Sequence, residues 1–100
     1  MAIQHLCLIT YKDPAAVAPA TQQAIEDAYH SLKDIVPGII SIKAGRDLGL
    51  LEGNAHLCIL AEFESEEAFR NYSVHPAHGT VIFPVLGHLM EGWSTAQFRD

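Results

Sequence analysis

The sequence predicts an α+β protein, because two long apolar segments with strand-like composition are each followed by a segment with helical spacing. The strand-like segments are Ala2–Tyr11 and Ala55–Phe63, and runs of Ile, Leu and Cys such as theirs are typical of buried strands. A further strand pattern follows each helical segment, which gives the order β-α-β-β-α-β. A chain of 100 residues is too short for two cores, so we expect a single domain over residues 1–100.

A first helix is predicted between the first two strands. Asp13-Pro14 resembles a helix cap followed by a first helical residue, and a second proline moves the expected start of the regular helix to residues 18–21. Apolar residues then recur at helical spacing and define the buried face, at Ile25, Ala28, Tyr29, Leu32 and Ile35. Pro37-Gly38 ends the helix, because neither residue continues it readily.

The rest of the chain continues this order. Ile39–Gly45 is the second strand, and a polar connection that contains glycines leads to the third. Ser65 caps a second helix, whose first turn carries two glutamates that the helix dipole favours. Pro84 is expected to kink or split the helical stripe that comes next. Trp93–Arg99 is the last strand, with Trp93 expected in the core. The helical stripe consists of His78, Val81, Ile82, Val85, Leu86 and Leu89.

The two long segments also resemble each other. Residues 5–9 and 56–60 both read His-Leu-Cys followed by two aliphatic residues, as two split β-α-β halves would. In the resulting ferredoxin-like arrangement we expect the first and third strands to be central neighbours that run parallel. This pairing places four side chains on the sheet face beneath the helices: His5, Cys7, His56 and Cys58.

The opposite face of this sheet has no helix to cover it. We expect apolar side chains to line it, at Leu6, Leu8, Leu57, Ile59 and Phe63. The chain is 49% hydrophobic, and a chain of this size buries only part of its apolar surface by itself. The sequence therefore predicts a homodimer that forms through the open sheet face.

Net charge and cysteine content indicate which binding partners and which cellular location to expect. Six basic and twelve acidic residues give a formal charge of −6 without a basic run, so we expect neither nucleic acid nor a membrane as a partner. The apolar runs are too short to span a bilayer, and residues 1–10 show no export signal. Two cysteines are too few for a disulfide scaffold, which favours a cytoplasmic location.

Residues 71–79 concentrate polar rings at one bend. Pro76 ends the preceding helix, and Tyr72 and His78 lie on either side of it. An imidazole moves protons near neutral pH and a phenol donates to a developing oxyanion, so this pair suits proton transfer. Structural rings that satisfy buried backbone groups also explain such a corner, and the sequence leaves both interpretations open.

A metal site is a further interpretation of the four polar residues on the predicted sheet face. Two imidazoles and two thiolates, from His5, His56, Cys7 and Cys58, suit zinc. However, side chains two residues apart on a strand are ~6.5–7 Å apart, which is awkward for a tight tetrahedron. Free cysteine is also common in protein cores. We therefore expect neither a metal nor another cofactor.

Three features resemble the stress-responsive A/B barrel domain family, called Dabb. They are the Ile-x-His of the first strand, the Pro-Gly after the first helix and the turn Tyr72-x-x-His75-Pro76-x-His78. The resemblance covers essentially the whole chain. It implies a ferredoxin-like protomer with an antiparallel four-stranded sheet, two copies of which pack sheet against sheet as a dimeric α+β barrel.

The resemblance also implies a function. One plant member of the family closes a linear polyketide by aldol condensation without a cofactor, and its catalytic tyrosine and histidine fall on Tyr72 and His78. His78 would then be the general base, and Tyr72 would hold the carbonyl oxygen that becomes negative. The protein would be a cofactor-independent cyclase or isomerase-type lyase for a small carbonyl or aromatic molecule. Side chains expected to bind this substrate are His5, His56, His75, Cys7 and Cys58.

Two alternatives follow from the same resemblance. Some family members resemble stress-protective proteins without an established reaction, which implies a non-catalytic stress-response or binding module with structural histidines. Other dimeric α+β barrels resemble haem or oxygen-dependent monooxygenases, although only the histidines of this chain point in that direction. The sequence leaves all three functions open.

Overall fold

A computed structural model describes residues 2–100 and consists of one four-stranded sheet with helices on one face. This order confirms the predicted α+β class. Among these residues, no helix is both long enough and apolar enough to cross a membrane. In chain order the elements are β1 (Ile3–Tyr11), a 3₁₀ turn (Pro14–Ala16), α1 (Pro19–Ile35), β2 (Ile39–Arg46), β3 (Leu57–Phe63), α2 (Glu66–Ser73), a π turn (His78–Ile82), α3 (Phe83–Leu86), a second 3₁₀ turn (Gly87–Leu89) and β4 (Met90–Arg99).

The sheet has the ferredoxin-like strand order β2-β3-β1-β4, and every neighbouring pair is antiparallel. The parallel pairing of β1 with β3 that the sequence repeat suggested is therefore wrong. His5 lies opposite Ala61, and Leu8 lies opposite Cys58. Antiparallel pairing reverses one copy of the repeat relative to the other, and residues directly opposite each other share a face. Equal residue types in the two strands consequently fall on different faces of the sheet.

The register also corrects the prediction for the open face. Leu57, Ile59 and Phe63 were expected there, but they lie beneath the helices and are at most 2% exposed. Leu6 and Leu8 lie on the open face, as predicted, because they alternate with the buried residues of β1. Pairing with β3 and β4 extends this face through Cys58, Leu60, Ala96 and Phe98. A stripe of apolar side chains therefore crosses the uncovered side of the sheet.

Helix α1 buries one side against the sheet, as its apolar spacing predicts. Ile25, Tyr29 and Leu32 are at most 5% exposed. Ile35, which was also expected to face inward, is exposed because it is the last residue of the helix. Gln22 lies on the buried side as well, where its side-chain oxygen accepts a hydrogen bond of 2.7 Å from a strand tyrosine hydroxyl.

The helical segment after Pro76 is divided into short pieces. The Phe83 N–H donates to the His78 carbonyl five residues earlier, which forms the π turn. Pro84 has no N–H and lies at the start of α3, so the regular bonding pattern does not continue across it. The predicted interruption of this segment at Pro84 is confirmed. Single π turns of this kind occur frequently at functional sites.

Gly38 joins α1 to β2 at the point where this connection touches α2. Its φ is +89°, a conformation that other residues rarely adopt, and an added Cβ would lie 2.5 Å from the Ala68 Cβ. Glycine is therefore required for α2 to pack this closely on the connection.

Gly38→Ala is expected to lower the free energy of unfolding by about 2–4 kcal/mol, from backbone strain together with the clash. Gly53→Ala is the matched control, because Gly53 has a similar φ of +81° but open space around it. Backbone strain alone should lower the free energy of unfolding of the control variant by about 1 kcal/mol. Urea denaturation measures both variants, and equal losses would contradict the close approach of α2.

Candidate active site

A cavity of about 360 Å³ lies between the helix-covered face of the sheet and the segment from α2 to α3. Most of its wall is apolar or aromatic. No lining side chain among residues 2–100 is Asp, Glu, Lys or Arg. The polar groups that matter for its chemistry are His5, Tyr29, Tyr72, His78 and Gln97. A cavity of this volume lies at the lower end of the range for small-molecule sites.

The corner between α2 and the π turn brings Tyr72 and His78 together. Ser65 caps α2 by accepting from the Ala68 N–H at 3.1 Å. At the other end of α2, the His75 N–H donates to the Tyr72 carbonyl, and the chain then turns through Pro76. The Tyr72 and His78 rings consequently pack edge to face, with centroids 4.5 Å apart.

His5 reaches the same cavity from the middle of the sheet. It is 6% exposed, and its ring centroid lies 5.8 Å from that of Tyr72 and 4.9 Å from that of Phe69. Its Nδ1 atom is 3.0 Å from the side-chain nitrogen of Gln97 on β4. Two of the predicted substrate-binding residues, His5 and Cys7, therefore line the cavity together with Tyr72 and His78.

Burial keeps both cavity imidazoles uncharged. Burial lowers the pKa of His5 below its ordinary value, and the nearby His78 lowers it further. For His78, burial again lowers the pKa, the backbone of His75 acts in the opposite direction, and the His75 ring adds a smaller lowering. The Nδ1 atom of His78 is buried without a hydrogen-bond partner among residues 2–100. A neutral imidazole that lines a cavity is suited to accept a proton from a bound molecule.

The phenol and the thiol in the cavity keep their protons. Burial, with a smaller contribution from Cys7, raises the pKa of Tyr72 well above its ordinary value, so its hydroxyl is a donor at neutral pH. Burial also raises the pKa of the Cys7 thiol to about 11. A thiol of this kind is a poor nucleophile at neutral pH, because the thiolate is the reactive form. Cys7 therefore contributes apolar wall to the cavity.

Three of the predicted site residues lie elsewhere. His56 precedes β3, where its Nδ1 accepts from the Tyr11 N–H at 2.9 Å and its ring stacks on that of Tyr11. His75 stays in the corner, where its Nδ1 accepts from the Ala77 N–H at 3.0 Å. Cys58 is exposed on the open face. Both histidines thus stabilise backbone, and the prediction of a common face for the repeated His and Cys residues is wrong.

This distribution separates the four ligands of the zinc interpretation. His5 and Cys7 lie beneath the helices, Cys58 lies on the other side of the sheet, and His56 lies near the end of β1. Within residues 2–100, no group of three or more His, Cys, Asp or Glu side chains is arranged to hold a metal ion.

Several residues that line the cavity were not identified as such from the sequence. Tyr29 belongs to the apolar repeat of α1 and gave no sign of lining a cavity. Trp93 was expected in the core, with a position over the pocket as the alternative; it is 66% exposed and borders the cavity, because β4 is an edge strand. Trp93, Thr95 and Gln97 alternate along β4 and lie opposite the cavity-facing residues of β1. That alternation was the one available signal, although β4 begins at Met90, three residues before the predicted start.

These observations describe a ferredoxin-like protein whose helix-covered face encloses a pocket with two neutral histidines. The sequence matches the family model of the stress responsive A/B barrel domain, Dabb, over residues 3–99. The chain therefore belongs to this family, as its motifs predicted.

Two named relatives are similar over most of their length. Olivetolic acid cyclase from Cannabis sativa is 31% identical over 81 residues, which cover 78% of this chain and 77% of that protein. A stress-response A/B barrel domain-containing protein from Arabidopsis thaliana is 29% identical over 90 residues, which cover 87% of this chain and 80% of that protein.

Solved structures share the fold. A dimeric ferredoxin-like protein of unknown function from Thermobifida fusca superposes with a TM-score of 0.80 at 28% identity, covering 98% of this chain and 90% of that one. A hydroxynitrile lyase from Passiflora edulis has a TM-score of 0.76 at 19% identity, covering 97% and 91%. The latter likeness supports the ferredoxin-like fold alone.

We expect the stability of the protein to fall as the pH drops below about 6.5. Because the folded state lowers the pKa of His5 and His78, the unfolded chain binds more protons in that range, and acidification favours unfolding. Urea denaturation at pH 7.5 and 5.5 measures the effect. His78→Gln should reduce the loss between the two pH values, whereas His30→Gln, on the exposed side of α1, should leave it unchanged. Equal pH dependence in all three proteins would contradict the role of burial.

Proposed function

We propose that the cavity binds a small carbonyl-containing or aromatic molecule and catalyses cofactor-free proton transfer, such as enolisation or aldol-type cyclisation. The observation that carries this proposal is the contact between a neutral imidazole, His78, and a protonated phenol, Tyr72, in a cavity without charged side chains. The imidazole can take a proton while the phenol stabilises the oxyanion that results.

The roles follow from the protonation states. His78 removes a proton from the carbon next to a carbonyl group, and the electron pair of that C–H bond moves into the enolate. Tyr72 donates a hydrogen bond to the carbonyl oxygen as it becomes negative. In a cyclisation, the enolate carbon then attacks a second carbonyl of the same molecule, and the protonated His78 can return its proton to the new alkoxide. No redox step is involved.

The free ring nitrogen of His78 distinguishes it from the structural histidines. His56 and His75 each use Nδ1 to accept a backbone N–H. The Nδ1 of His78 has no such partner among the described residues although it is buried. The ring of His78 lines the cavity instead of accepting a hydrogen bond from a neighbouring backbone N–H. This contrast supports a functional role for His78.

The similarity to olivetolic acid cyclase supports a cyclisation chemistry, because the matched region covers most of both chains. The similarity to a plant stress-response protein supports the second candidate, a non-catalytic stress-response or binding module. The structural role of His75 in the corner favours that candidate. No observation within residues 2–100 favours the monooxygenase alternative over these two.

We also propose that two copies pair through the open sheet face. Leu8, Leu60 and Phe98 are 42–54% exposed on this face, and solved relatives from Thermobifida fusca and Bacteroides fragilis are described as dimeric. Contiguous apolar surface of this kind marks an interaction site, and a second copy of the same face would cover it.

The proposed reaction is tested by a ligand-observed NMR screen of polyketide-like, phenolic and β-dicarbonyl compounds, followed by exchange of their α-protons in D₂O without added metal or cofactor. Bound compounds should lose α-proton signal faster with wild type than in buffer. His78→Gln and Tyr72→Phe should slow this exchange by about 100-fold or more, because each removes a group that acts in the transition state. His30→Gln is the control and should exchange like wild type.

Two results would contradict the proton-transfer proposal. If both site variants retain full exchange with a compound that binds, the assigned roles are wrong. If no compound binds and His78→Ala lowers the free energy of unfolding by ~1–3 kcal/mol, the non-catalytic module is favoured instead.

Leu60→Asp should convert the protein from a dimer to a monomer, because it places a charge in the middle of the proposed interface. Ile35→Asp is the matched control, since Ile35 is 45% and Leu60 43% exposed but Ile35 lies at the end of α1. Sedimentation velocity should give twice the protomer mass for wild type and control. A monomeric wild type, or a dimeric Leu60→Asp, would contradict pairing through this face.

A further inference from the structure

Gln97 is held directly against the imidazole of His5. The two residues lie opposite each other in the β1–β4 ladder, and the Gln97 Nε2 atom is 3.0 Å from the His5 Nδ1 atom. An amide nitrogen donates hydrogen bonds and does not accept them. With its amide nitrogen toward the ring, Gln97 donates to Nδ1 when His5 carries its proton on Nε2.

This orientation of the Gln97 amide corresponds to one tautomer of the His5 ring. A neutral imidazole carries one N–H, so a ring that accepts at Nδ1 must carry its proton on Nε2. Nε2 makes no hydrogen bond with residues 2–100, while the ring itself lines the cavity. In this tautomer, His5 has a donor without a partner among residues 2–100, in the same cavity as His78.

We propose that Gln97 is a positioning residue that holds His5 as its Nε2–H tautomer, so that His5 donates a hydrogen bond to an acceptor oxygen of the bound ligand. This deepens the proposed function, on which its ligand step rests, by naming the ligand group: an acceptor oxygen, such as that of a carbonyl or ether, rather than a group that can only donate, such as an ammonium. It also separates the two histidines, since His5 donates while His78 accepts.

The surroundings of His5 make Gln97 the group that selects the tautomer. The ring is packed against Phe63 of β3, and against Phe69 and Tyr72 of α2. The phenol keeps its proton because burial raises the pKa of Tyr72. Besides Tyr72, the titratable groups near the ring are His78, which burial keeps neutral, and the Cys7 thiol on the same strand. Within residues 2–100, Gln97 is the one side chain that hydrogen-bonds to the ring.

The opposite orientation of the Gln97 amide would favour the other tautomer of His5. If the Gln97 amide were rotated by half a turn, its oxygen would accept from Nδ1–H and leave Nε2 without a proton. His5 would then be a second acceptor in the cavity and would favour a ligand hydroxyl. The two arrangements predict different tautomers, which can be measured without any ligand.

Long-range ¹H–¹⁵N spectra of the histidine rings at pH 8 test the proposal in the ligand-free protein, with the His5 signals assigned from His5→Gln. Wild type should show the Nε2–H tautomer. Gln97→Glu should invert it to Nδ1–H, because a carboxylate only accepts, and should raise the His5 proton affinity by about tenfold or more. Gln97→Met, which offers no comparable donor, should give a mixture of tautomers.

Gln23→Glu is the control for added charge, because it makes the same substitution on the exposed side of α1 and should leave the His5 spectrum unchanged. An Nδ1–H tautomer in wild type, or the same tautomer in wild type, Gln97→Glu and Gln97→Met, would overturn the proposal.

The ligand step is tested with acetophenone and α-methylstyrene, which have similar shapes but differ in the carbonyl oxygen. At pH 8, where the spectra are recorded on the neutral ring, acetophenone should bind wild type at least tenfold more tightly than Gln97→Glu, and α-methylstyrene should not distinguish the two. Equal affinity of acetophenone for both proteins would overturn the donor role of His5. If neither compound binds any variant, the proposed carbonyl ligand is wrong, whereas the tautomer spectra still decide the role of Gln97.

Discussion

The chemistry of the cavity depends on burying two imidazoles beside a phenol without a charged side chain. Burial opposes charge, so His5 and His78 stay neutral and Tyr72 stays protonated. A carboxylate within the cavity would favour the imidazolium form and remove the base. Phe63 and Phe69 pack against the His5 and Tyr72 rings and exclude such a group. The apolar wall is therefore part of the mechanism as well as part of the core.

The six histidines of this chain show how position divides one residue type into different roles. His56 and His75 each accept a backbone N–H and stabilise a strand end or a corner. His5 and His78 instead line the cavity. The difference arises from the main chain around each ring, because a free N–H nearby uses the ring nitrogen for structure. The rings of His5 and His78 accept no backbone N–H from residues 2–100, and both contribute to the cavity wall.

The sequence predicted the fold well because local signals specify it. Alternation and helical spacing identified the elements, and Pro76 identified the corner that joins Tyr72 to His78. The direction of β3 is a property of the whole sheet that the repeated residues do not encode, so Cys58 and His56 were misplaced. Gln97 was missed for a related reason, since its contact with His5 depends on the β1–β4 register across 92 residues. Site residues that are brought together by long-range strand pairing can be identified only from the structure.

The most direct measurement is an NMR titration of the His5 and His78 rings in the ligand-free protein. Because both rings are buried, we expect His5 and His78 to titrate below their ordinary pKa of about 6.5. We also expect His78→Gln to raise the pKa of His5, because the charge on His78 no longer opposes protonation of its neighbour. A pKa at or above 6.5 for either ring would mean that water or a charged group reaches the cavity, and the proton-transfer account would then lose its base.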